Sequence, residues 1–463
     1  MKPAQLDGKD VLVIGLARTG VATAEFCAER GARVTVIDRQ PESAVADAAV
    51  SLRQRGVHVE CGGDFPELFS GIDLIVPSPG VPADLPAIQA ARERGVKVWS
   101  EIELAWHFLH GRLIAITGSN GKTTTTALLG HILNNARLSV LVGGNIGTPL
   151  ISLVAGSADA SVTVAEVSSF QLELIESFRP DVAVMLNLTP DHLDRHGSFE
   201  NYARAKWRIF ENQRDPDAAI LNADDKEVAR RVPSGPRNFW FSRLRDVPAG
   251  AFLRDGWIIL RDGGAEYELL RCNEIQLRGG HNIENVVAAS IAAHLEGVRA
   301  EVIADGVRTF AGVEHRLEFV AEIAGVRFYN DSKATNVDAT CKALDSFTEP
   351  LHVILGGKDK GSDYTTLREP LRRHAARIFL IGAAAEKIAE EIGDAVPVSM
   401  AGTLQKAVSR AFAIAHPGEI VLLAPGCASF DQFQNFEHRG GVFKQLVAHL
   451  AQHITADAPA RKG

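Results

Sequence analysis

The chain has 463 residues, a length that predicts about three domains of ordinary size and excludes a single small binding module. Hydrophobic residues make up 46% and charged residues 23%, so the chain can form several buried cores and is neither disordered nor fibrous. The formal net charge of −8 gives no general attraction to nucleic acid or to an anionic membrane, although it leaves room for local basic pockets.

The cysteines and the amino-terminal segment indicate a reducing compartment. The chain has five cysteines, an odd number without a CxxC pair, which suggests neither a disulfide framework nor a zinc knuckle. The first ten residues lack the apolar core of a signal peptide, and no apolar run reaches the roughly 18 residues that span a bilayer. We therefore expect a cytoplasmic protein without membrane insertion.

Short apolar runs alternate with helix-compatible stretches along most of the chain, which is typical of α/β units with parallel sheets. The predicted strands form three groups: first 11–14, 34–37 and 74–76; then 113–117, 140–142, 162–165, 182–188 and 219–221, followed by a hairpin of 257–260 and 266–270; and last 326–329, 353–355, 378–381 and 420–424. Boundaries near residues 100 and 312 predict three domains, 1–100, 101–311 and 312–463.

The strongest motif is Thr117-Gly118-Ser119-Asn120-Gly121-Lys122-Thr123-Thr124, which follows an apolar run and precedes the amphipathic stretch 127–133. A strand, a glycine loop and a helix start are what a phosphate cradle needs. Lys122 can neutralise the terminal phosphates, and the Thr123 hydroxyl can hold Mg²⁺. The usual first glycine of such a loop is Ile116 here, so the motif is a shortened variant. A glycine-rich turn with a solvated lysine is the alternative.

A second glycine loop, Gly15-Leu16-Ala17-Arg18-Thr19-Gly20, follows the first predicted strand, and Asp38 ends the second. This spacing is close to that of a dinucleotide-binding fingerprint. In that fingerprint the middle glycine lets the backbone touch a pyrophosphate. Ala17 stands at this position here, so binding of NAD is disfavoured. Arg18 and Arg39 suit another phosphorylated ligand, and a purely structural turn is the alternative.

Three segments that follow strands of the second group contain clustered polar residues in otherwise apolar surroundings. Glu166 follows an apolar strand, where it can be a Mg²⁺ ligand or a helix-capping carboxylate. His192 and His196 have the spacing of zinc ligands on a helix, but the flanking proline and glycine favour a solvated turn. Lys206 is expected to be an exposed helix lysine on spacing alone.

Later polar segments lie where α/β sheets bind ligands. The amides of Asn282 and Asn285 open a helix rich in alanine and valine, where they can contact a base or cap the helix. Segments 329–336 and 356–363 each follow a predicted strand, and the carboxyl ends of parallel strands form ligand sites. Each segment by itself can also be a polar turn.

Taken together, these blocks resemble the Mur ligase and folylpolyglutamate synthetase superfamily, whose phosphate loop has the same shortened form. Its further blocks are similar to 143–147, 166–172, 191–194 and 281–285, in the expected order, and the resemblance extends from Gly15 to about Leu450. Segments 330–336 and 427–433 resemble the members that join D-glutamate to UDP-N-acetylmuramoyl-L-alanine.

The resemblance implies an α/β fold of three domains. These are a Rossmann-like amino-terminal domain for the UDP moiety, a central P-loop ATPase-type domain with a mostly parallel sheet, and a Rossmann-like carboxy-terminal domain for the amino acid. It also implies an ATP-dependent ligase of peptidoglycan precursor synthesis, which forms an amide bond through an acyl phosphate. The expected cofactors are ATP and two Mg²⁺ ions, with Mn²⁺ as a substitute, and the expected state is a monomer that binds no nucleic acid.

By motif position, the resemblance further implies the site residues. The catalytic residues are Lys122, His192 and Lys206, and the metal ligands are Thr123, Glu166, His192 and an N-carbamylated Lys206. The ATP-binding residues are Gly118, Ser119, Asn120, Gly121, Lys122, Thr123, Thr124, Asn282, Asn285, Arg316 and Asp331. The UDP-sugar residues are Arg18, Thr19, Asp38, Arg39 and Asn145, and the D-glutamate residues are Thr335, Lys360, Ser429 and Phe436, with Lys358 as an alternative to Lys360.

Three other functions stay open from the sequence. A sister ligase that adds L-alanine, a diamino acid or a folate glutamate differs mainly in its carboxy-terminal pocket. If the protein were a nucleotide-gated binding protein, it would show no turnover. The metal-ligand and lysine positions argue against this function. A nicotinamide oxidoreductase predicts NAD binding, against which Ala17 argues.

Overall fold

The structure is a computed structural model that describes residues 5–457, with side chains through residue 452. The sequence-based expectation that the amino-terminal segment is not a signal peptide concerns residues 1–10, of which residues 1–4 lie outside the described part. Within the described part, the chain divides into two compact units, one of residues 5–274 and 284–309 and the other of residues 275–283 and 310–457. No helix among these residues combines the length and apolar character that crossing a membrane requires.

The first unit contains two sheets, and the amino-terminal one has five strands. Its elements are β1 Asp10–Ile14, α1 Arg18–Ala28, β2 Arg33–Asp38, α2 Glu42–Gln54, β3 His58–Cys61, β4 Leu74–Pro77, α3 Pro86–Glu93, β5 Lys97–Val98 and α4 Glu101–Trp106. The strand order is β3-β2-β1-β4-β5, all neighbours are parallel, and Asp10 to Ile14 pair in register with Arg33 to Ile37. This is the order of a Rossmann-like sheet, which confirms the predicted class.

The second sheet of this unit has nine strands. Its elements are β6 Arg112–Thr117, α5 Lys122–Asn135, β7 Ser139–Gly144, α6 Leu150–Leu153, β8 Ser161–Glu166, α7 Ser169–Leu172, β9 Val182–Met185, α8 Leu193–His196, α9 Phe199–Trp207, β10 Ala218–Asn222, α10 Lys226–Ala229, β11 Arg237–Ser242, β12 Gly250–Arg254, β13 Trp257–Asp262, β14 Ala265–Arg271, α11 Gly280–Leu295 and α12 Ala300–Thr309. The order is β14-β13-β12-β11-β10-β9-β6-β8-β7. All pairs are parallel except those of β13 with β12 and β14, so the predicted hairpin is confirmed.

The second unit contains one six-stranded sheet. Its elements are β15 Glu318–Ile323, β16 Val326–Asn330, α13 Val337–Leu344, β17 Leu351–Gly356, α14 Arg368–His374, β18 Ala375–Ile381, α15 Ala385–Ile392, β19 Val398–Gly402, α16 Leu404–Ile414, β20 Ile420–Leu423 and α17 Phe436–Asp457. The order is β15-β16-β20-β17-β18-β19, parallel except for β15 with β16. Val353 and Leu355 face one hydrophobic core while Ile354 faces the other, so helices cover both faces of this sheet.

Some elements differ from the predicted ones. The strand predicted over 182–188 ends at Met185, and the short helix α8 stands where a turn was predicted. Strands β3, β5, β11, β12, β15 and β19 were not predicted. Several of them are short or carry exposed positions, so they lack a continuous apolar run. The predicted α/β class with mostly parallel sheets is confirmed, whereas the domain boundaries near residues 100 and 312 stay predictions.

Sheet order brings the polar segments of the sequence together. Strand β6 lies between β8 and β9, so the segments that follow these three strands share one edge of the nine-stranded sheet. Leu186 N donates to Thr117 O and Val167 N donates to Ile116 O, which extends the pairing just past the strand ends. In the same way β20 lies between β16 and β17 in the second unit. Ligand sites of α/β proteins form at such edges.

Candidate active site

The loop after β6 needs its glycines for geometric reasons. Gly118 has φ of +154° and Gly121 has φ of +90°, both in a region that residues with a Cβ rarely adopt. A Cβ on Gly121 would also lie 2.3 Å from Asn285 Oδ1, and one on Gly118 would lie 2.9 Å from Leu186 Cβ. The loop therefore turns sharply against its neighbours and ends where α5 begins, at Lys122.

Hydrogen bonds to the segment after β9 fix the same loop. Ser119 N donates to Asn187 O over 3.0 Å, and Asn120 N donates to Asn187 Oδ1 over 2.8 Å. Ser119 Oγ lies 2.8 Å from the Tyr202 hydroxyl. Sequence reasoning missed Asn187 and Tyr202 because neither stands within the loop motif; Asn187 lies inside the overlong predicted strand, where a polar residue was the available signal.

Lys122 and Thr123 lie at the start of α5, as the phosphate-loop interpretation predicts. Lys122 Nζ donates to Gly118 O over 2.9 Å and to Ser119 O over 3.0 Å. Thr123 Oγ1 donates to Glu166 Oε2 over 2.7 Å, and Glu166 is 2% exposed. The capping alternative for Glu166 does not hold, because the Ser168 side chain caps α7.

The donor set of this site fits the groups that the family resemblance implies. A hydroxyl and a carboxylate are oxygen ligands of the kind that Mg²⁺ prefers. Thr124, in the first turn of α5, is 1% exposed, and its Oγ1 has no hydrogen-bond partner among the described residues. A buried hydroxyl without a partner is costly, and a phosphate oxygen at this helix N-terminus could supply one.

Lys206 is buried, which contradicts the exposed helix lysine expected from spacing. The side chain is 2% exposed and lies on α9, where its Nζ donates to Gly118 O over 2.9 Å and to Thr117 Oγ1 over 3.4 Å. Burial lowers the pKa of the Lys206 ammonium well below its usual range, and the positive charge of Lys122 lowers it further. The helix is amphipathic, and its inner face carries the lysine into the phosphate-loop cluster.

The two histidines of the 191–196 segment have different environments. His196 is buried, with Nε2 3.0 Å from Ser169 Oγ and Nδ1 3.1 Å from Glu173 Oε1. Since both nitrogens are engaged, the zinc-type pair of His192 and His196 does not form. His192 precedes α8 with φ of +53°, and its side chain is 39% exposed, so its imidazole can accept a ligand.

The amino-terminal sheet carries a cavity of about 590 Å³ at the carboxyl ends of β1 and β2, and Asp38 and Arg39 line it. The Asp38 carboxylate accepts hydrogen bonds from Leu16 N over 2.6 Å and from Gln40 N over 2.8 Å. Arg39 forms an ion pair with Asp64, which also lines the cavity. The walls are mostly apolar and carry a few charged groups, which is usual for a cavity that binds a small molecule.

Three residues predicted for the same UDP-sugar ligand lie elsewhere in the first unit. Arg18 Nη1 donates to Gly147 O over 2.8 Å, which ties the start of α1 to the loop after β7. Asn145, in that loop, donates from Nδ2 to Glu166 Oε1 over 3.2 Å. Thr19 stands in the first turn of α1, next to Arg18. Of this set, Asp38 and Arg39 line the cavity, Arg18 contacts the loop after β7, and Asn145 contacts Glu166.

In the second unit, a cavity of about 390 Å³ is lined by Asn282, Arg316 and aromatic side chains. Asp331, which follows β16, is 6% exposed and accepts a hydrogen bond from Leu317 N over 3.3 Å. Burial raises the pKa of Asp331 to about 6, which the nearby Arg316 guanidinium opposes. Asn285, in contrast, lies in the first unit beside Gly121.

The residues predicted for D-glutamate lie in loops that meet at one edge of the second unit's sheet. Lys358 N donates to Ala428 O over 2.8 Å, which places the Lys358 backbone next to Ser429. Lys360 stands two residues further on and is exposed, whereas Ser429 is 2% exposed. Thr335 precedes α13 in the loop after β16, and Phe436 begins α17.

Arg439 is a residue of this site that sequence reasoning missed. It is fully buried, and it donates to Ser332 O over 2.8 Å and to Cys427 O over 3.2 Å, so it joins the loops after β16 and β20. Burial lowers the pKa of Arg439 to about 10. The sequence carries no signal for this role, because an arginine in a helix is ordinarily exposed.

A shortened glycine loop that leads into a helix, a hydroxyl–carboxylate pair and a buried lysine define the class of nucleotide-dependent phosphoryl-transfer enzymes. Family models agree with this class. The Mur ligase MurD-like amino-terminal domain matches residues 9–100, the Mur ligase middle domain matches 116–293, and the Mur ligase glutamate ligase domain matches 315–427.

Whole-chain relatives narrow the assignment. A protein of Acidobacterium capsulatum named UDP-N-acetylmuramoylalanine–D-glutamate ligase is 54% identical, over 98% of this chain and 100% of its own length. One of Koribacter versatilis with the same name is 52% identical over 96% of this chain and 98% of its own. The chain therefore belongs to the Mur ligase family, ATP-dependent ligases that form amide bonds, and within it to the UDP-N-acetylmuramoylalanine–D-glutamate ligases.

Solved structures show the same fold. A MurF ligase of Thermotoga maritima in complex with ADP has a TM-score of 0.61 at 17% identity, over 90% of this chain and 96% of that one. The UDP-N-acetylmuramate–alanine ligase MurC of the same organism has a TM-score of 0.60 at 16% identity, over 96% of this chain and 100% of that one.

Proposed function

We propose that this protein joins D-glutamate to UDP-N-acetylmuramoyl-L-alanine with conversion of ATP to ADP and phosphate, as a step of peptidoglycan precursor synthesis in the cytoplasm. The observation that carries the proposal is the cluster of Lys122, Thr123, Glu166 and buried Lys206 around one glycine loop. The 54% identity to a named ligase over the whole chain supports the choice of acceptor. The ligands are small molecules, and nucleic acid is not among them.

The chemistry follows from the poor reactivity of a carboxylate toward amines. A carboxylate oxygen of the UDP-linked substrate attacks the γ-phosphorus of ATP; a new O–P bond forms, the bond to the bridging oxygen breaks, and ADP leaves. The resulting acyl phosphate has a good leaving group. The D-glutamate nitrogen then attacks the carbonyl carbon, loses a proton, and the tetrahedral intermediate expels phosphate to give the amide.

The residues of the first unit supply charge and position for this transfer. Lys122, whose ammonium now donates to two loop carbonyls, is placed to neutralise the terminal phosphates instead. Thr123 and Glu166 would hold one Mg²⁺, and His192 with a carbamylated Lys206 would hold a second, with Mn²⁺ as a substitute. Such ions neutralise the negative charge of the transferring phosphoryl group.

The burial of Lys206 and the groups around it support the proposal that its amine is carbamylated. Its Nζ is buried against a carbonyl and a hydroxyl, and burial lowers the pKa of the ammonium well below its usual range. A neutral amine attacks the carbon of CO₂, an N–C bond forms, and one proton is lost, which leaves a carbamate anion. The new oxygens lie in a cluster that Lys122 makes positive, and oxygen anions are ligands that Mg²⁺ accepts.

The other predicted residues complete the proposal, ligand by ligand. Asp38 and Arg39 contact the UDP moiety in the amino-terminal cavity, while Arg18, Thr19 and Asn145 contact the sugar side of the same substrate. Backbone N–H groups of the loop 118–124 contact the ATP phosphates, and the further nucleotide-binding residues are Asn282, Asn285, Arg316 and Asp331. The D-glutamate residues are Thr335, Lys360, Ser429 and Phe436. The three segments 1–100, 101–311 and 312–463 then correspond to UDP-sugar, ATP and amino acid.

One assay tests the proposal against its alternatives. Purified protein is incubated with ATP, Mg²⁺, UDP-N-acetylmuramoyl-L-alanine and one amino acid at a time, and phosphate release is measured together with product mass. We expect product with D-glutamate alone. Lys122→Met should abolish turnover, whereas the control Lys226→Met, at an exposed position of α10, should not change it.

The other outcomes identify other functions. Turnover with L-alanine, a diamino acid or a folate acceptor would make the protein a sister ligase. ATP binding without phosphate release under any acceptor would favour a nucleotide-gated binding protein. Binding of NAD to the amino-terminal cavity, with no effect of UDP-N-acetylmuramoyl-L-alanine, would favour an oxidoreductase.

A further inference from the structure

The turn that carries Arg316 has an unusual backbone. His315 has φ of +62° and Leu317 has φ of +44°, so the two residues that flank Arg316 are both left-handed although neither is a glycine. A bulky side chain in this region is a genuine outlier, and such conformations persist where the surrounding structure holds them. Backbone strain of this kind clusters at ligand-binding positions, and Arg316 lines the cavity of the second unit.

The carboxylate of Glu318 holds the turn from one side. Its Oε2 accepts hydrogen bonds from His315 N over 2.9 Å and from Asn330 Nδ2 over 3.0 Å. The same amide lies 2.9 Å from His315 Nδ1, so the His315 backbone and ring are both fixed relative to β16. From the other side, the Asp331 carboxylate accepts from Leu317 N over 3.3 Å.

The helix α17 supports Glu318 through Lys444. Lys444 Nζ donates to Glu318 Oε1 over 3.0 Å and to the Glu314 carboxylate as well. The helix also packs closely on the turn, because a Cβ on Gly440 would lie 2.3 Å from His315 Nδ1. The ion pairs of Lys444 with Glu314 and Glu318, together with the close packing of Gly440 on His315, therefore hold the turn against α17.

Glu314, His315 and Glu318 also form a group of side chains that could gather around a metal ion. The Lys444 ammonium already neutralises both carboxylates of this group. His315 Nδ1 is engaged by Asn330, which removes one of the two ring nitrogens. The arrangement is therefore that of an ion-paired support and not that of a metal centre.

Glu318, Asn330 and Asp331 hold the backbone and the His315 ring of this turn, whereas the Nε atom of Arg316 has no hydrogen-bond partner among the described residues. This Nε atom is buried. A buried guanidinium N–H without a partner is costly unless a ligand accepts from it. The strained turn thus holds a donor that the protein itself does not satisfy.

We propose that Glu318, held by Lys444, is a positioning residue that locks the His315–Leu317 turn and so presents Arg316 to a nucleotide at the cavity of the second unit. This inference rests on the proposed nucleotide role of Arg316. Glu318 also lines the cavity of the second unit, and the inference assigns to Glu318 and Lys444 an effect on ATP affinity that acts through the position of Arg316.

The test compares ATP affinity with the affinities for the other substrates. Glu318→Gln keeps the size of the side chain but removes the charge that binds Lys444, and it should raise KM for ATP about tenfold, the loss expected when a charge-assisted hydrogen bond no longer fixes the turn. KM for D-glutamate and for the UDP-linked substrate should stay within about twofold. The dissociation constant of a non-hydrolysable ATP analogue should rise by the same factor as KM for ATP.

Variants at Lys444 separate positioning from general stability. Lys444→Met should weaken binding of the ATP analogue in the same direction, and Lys444→Arg, which keeps the charge, should restore it. The matched control is Lys342→Met, which removes a similarly half-buried ion pair with Asp338 in the same unit. It should leave analogue binding unchanged even if it lowers the melting temperature as much as Lys444→Met does.

Three results would overturn the inference. These are unchanged analogue binding in Glu318→Gln, an equal rise of all three KM values, or equal effects of Lys342→Met and Lys444→Met. Absence of turnover by the wild-type protein with D-glutamate would count against the proposed function instead, and analogue binding would still decide the role of Glu318.

Discussion

Lys206 and Arg439 are buried basic side chains whose hydrogen bonds go to uncharged oxygens. Neither side chain has a hydrogen-bonded carboxylate among the described residues, although Asp191 and Glu166 lie near Lys206 and Asp431 lies near Arg439, so burial of either charge is costly. Arg439 spreads its charge over a planar group with five donors, which lets it join two loops. Lys206 has a compact ammonium, and the same burial drives it toward the neutral amine that carbamylation requires.

Replacement of Lys206 tests the carbamate directly. Lys206→Ala should lose most turnover, since the proposed second metal loses an oxygen ligand. Added short carboxylates such as acetate or formate should restore part of it, because they can place a carboxylate oxygen in the space that the side chain leaves. Initial rates against carboxylate concentration provide the measurement. Rates that do not respond to the carboxylate would argue against the carbamate while leaving the ligase proposal intact.

Among the elements, the strand–loop–helix unit of β6, the glycine loop and α5 forms the proposed phosphate site. The loop's N–H groups can face a ligand because Gly118 and Gly121 turn the backbone in a way that other residues resist. Neighbouring elements are equally necessary, since Asn187 holds the loop and Glu166 reaches Thr123 from β8. The glycine loop therefore keeps this conformation only when β8 and the segment after β9 lie beside it.

Gly121→Ala should damage this element more than a comparable change elsewhere. The new Cβ meets Asn285 Oδ1 at 2.3 Å, and φ of +90° is unfavourable for alanine. We expect binding of a non-hydrolysable ATP analogue to weaken by at least about tenfold, as a displaced loop costs more than about 1.4 kcal/mol. Isothermal titration calorimetry measures this effect.

Gly256→Ala is the control for that change. Gly256 has φ of +78° in the turn between β12 and β13, and a Cβ there meets no atom within 4 Å. Its backbone strain is similar, but analogue binding should equal that of the wild type. If both variants bind the analogue equally well, close packing at Gly121 is not what the loop requires.

For the whole molecule, net charge and surface composition bear on association. The charge of −8 conceals cations at the proposed ligand positions, among them Arg39, Lys122 and Arg316. Some large apolar side chains are exposed among the described residues, such as Val50, Val232 and Leu244. Singly exposed apolar residues are normal for a protein surface and do not by themselves indicate an interface.

We expect a monomer in solution. Sedimentation equilibrium should give the mass of one chain, 49.8 kDa, at all loading concentrations. Salt should leave the mass unchanged, because the proposed cation pockets serve small anions and not a second chain. A mass that rises with concentration toward twice this value would contradict the expectation.

Much of the fold could be predicted because its signals are local. Apolar runs such as 113–117 and 420–424 predict strands, and the hairpin at 257–270 follows from two runs with a glycine turn. Strands β3 and β5 escaped prediction, since their residues alternate or number only two and gain their hydrogen bonds from neighbours distant in sequence. Strand ends such as Met185 depend in the same way on where a partner strand stops.

By itself, the sequence determined the α/β class and the strand–glycine loop–helix unit at residues 113–133, because a glycine loop between a strand and a helix is a contiguous motif with one geometry. Only the tertiary structure decided that Lys206 is buried, that His196 is engaged by Ser169 and Glu173, and that Arg439 joins two loops. The environment of each of these side chains is set by residues distant along the chain. Burial and charge are properties of such assembled neighbours, and no local pattern encodes them.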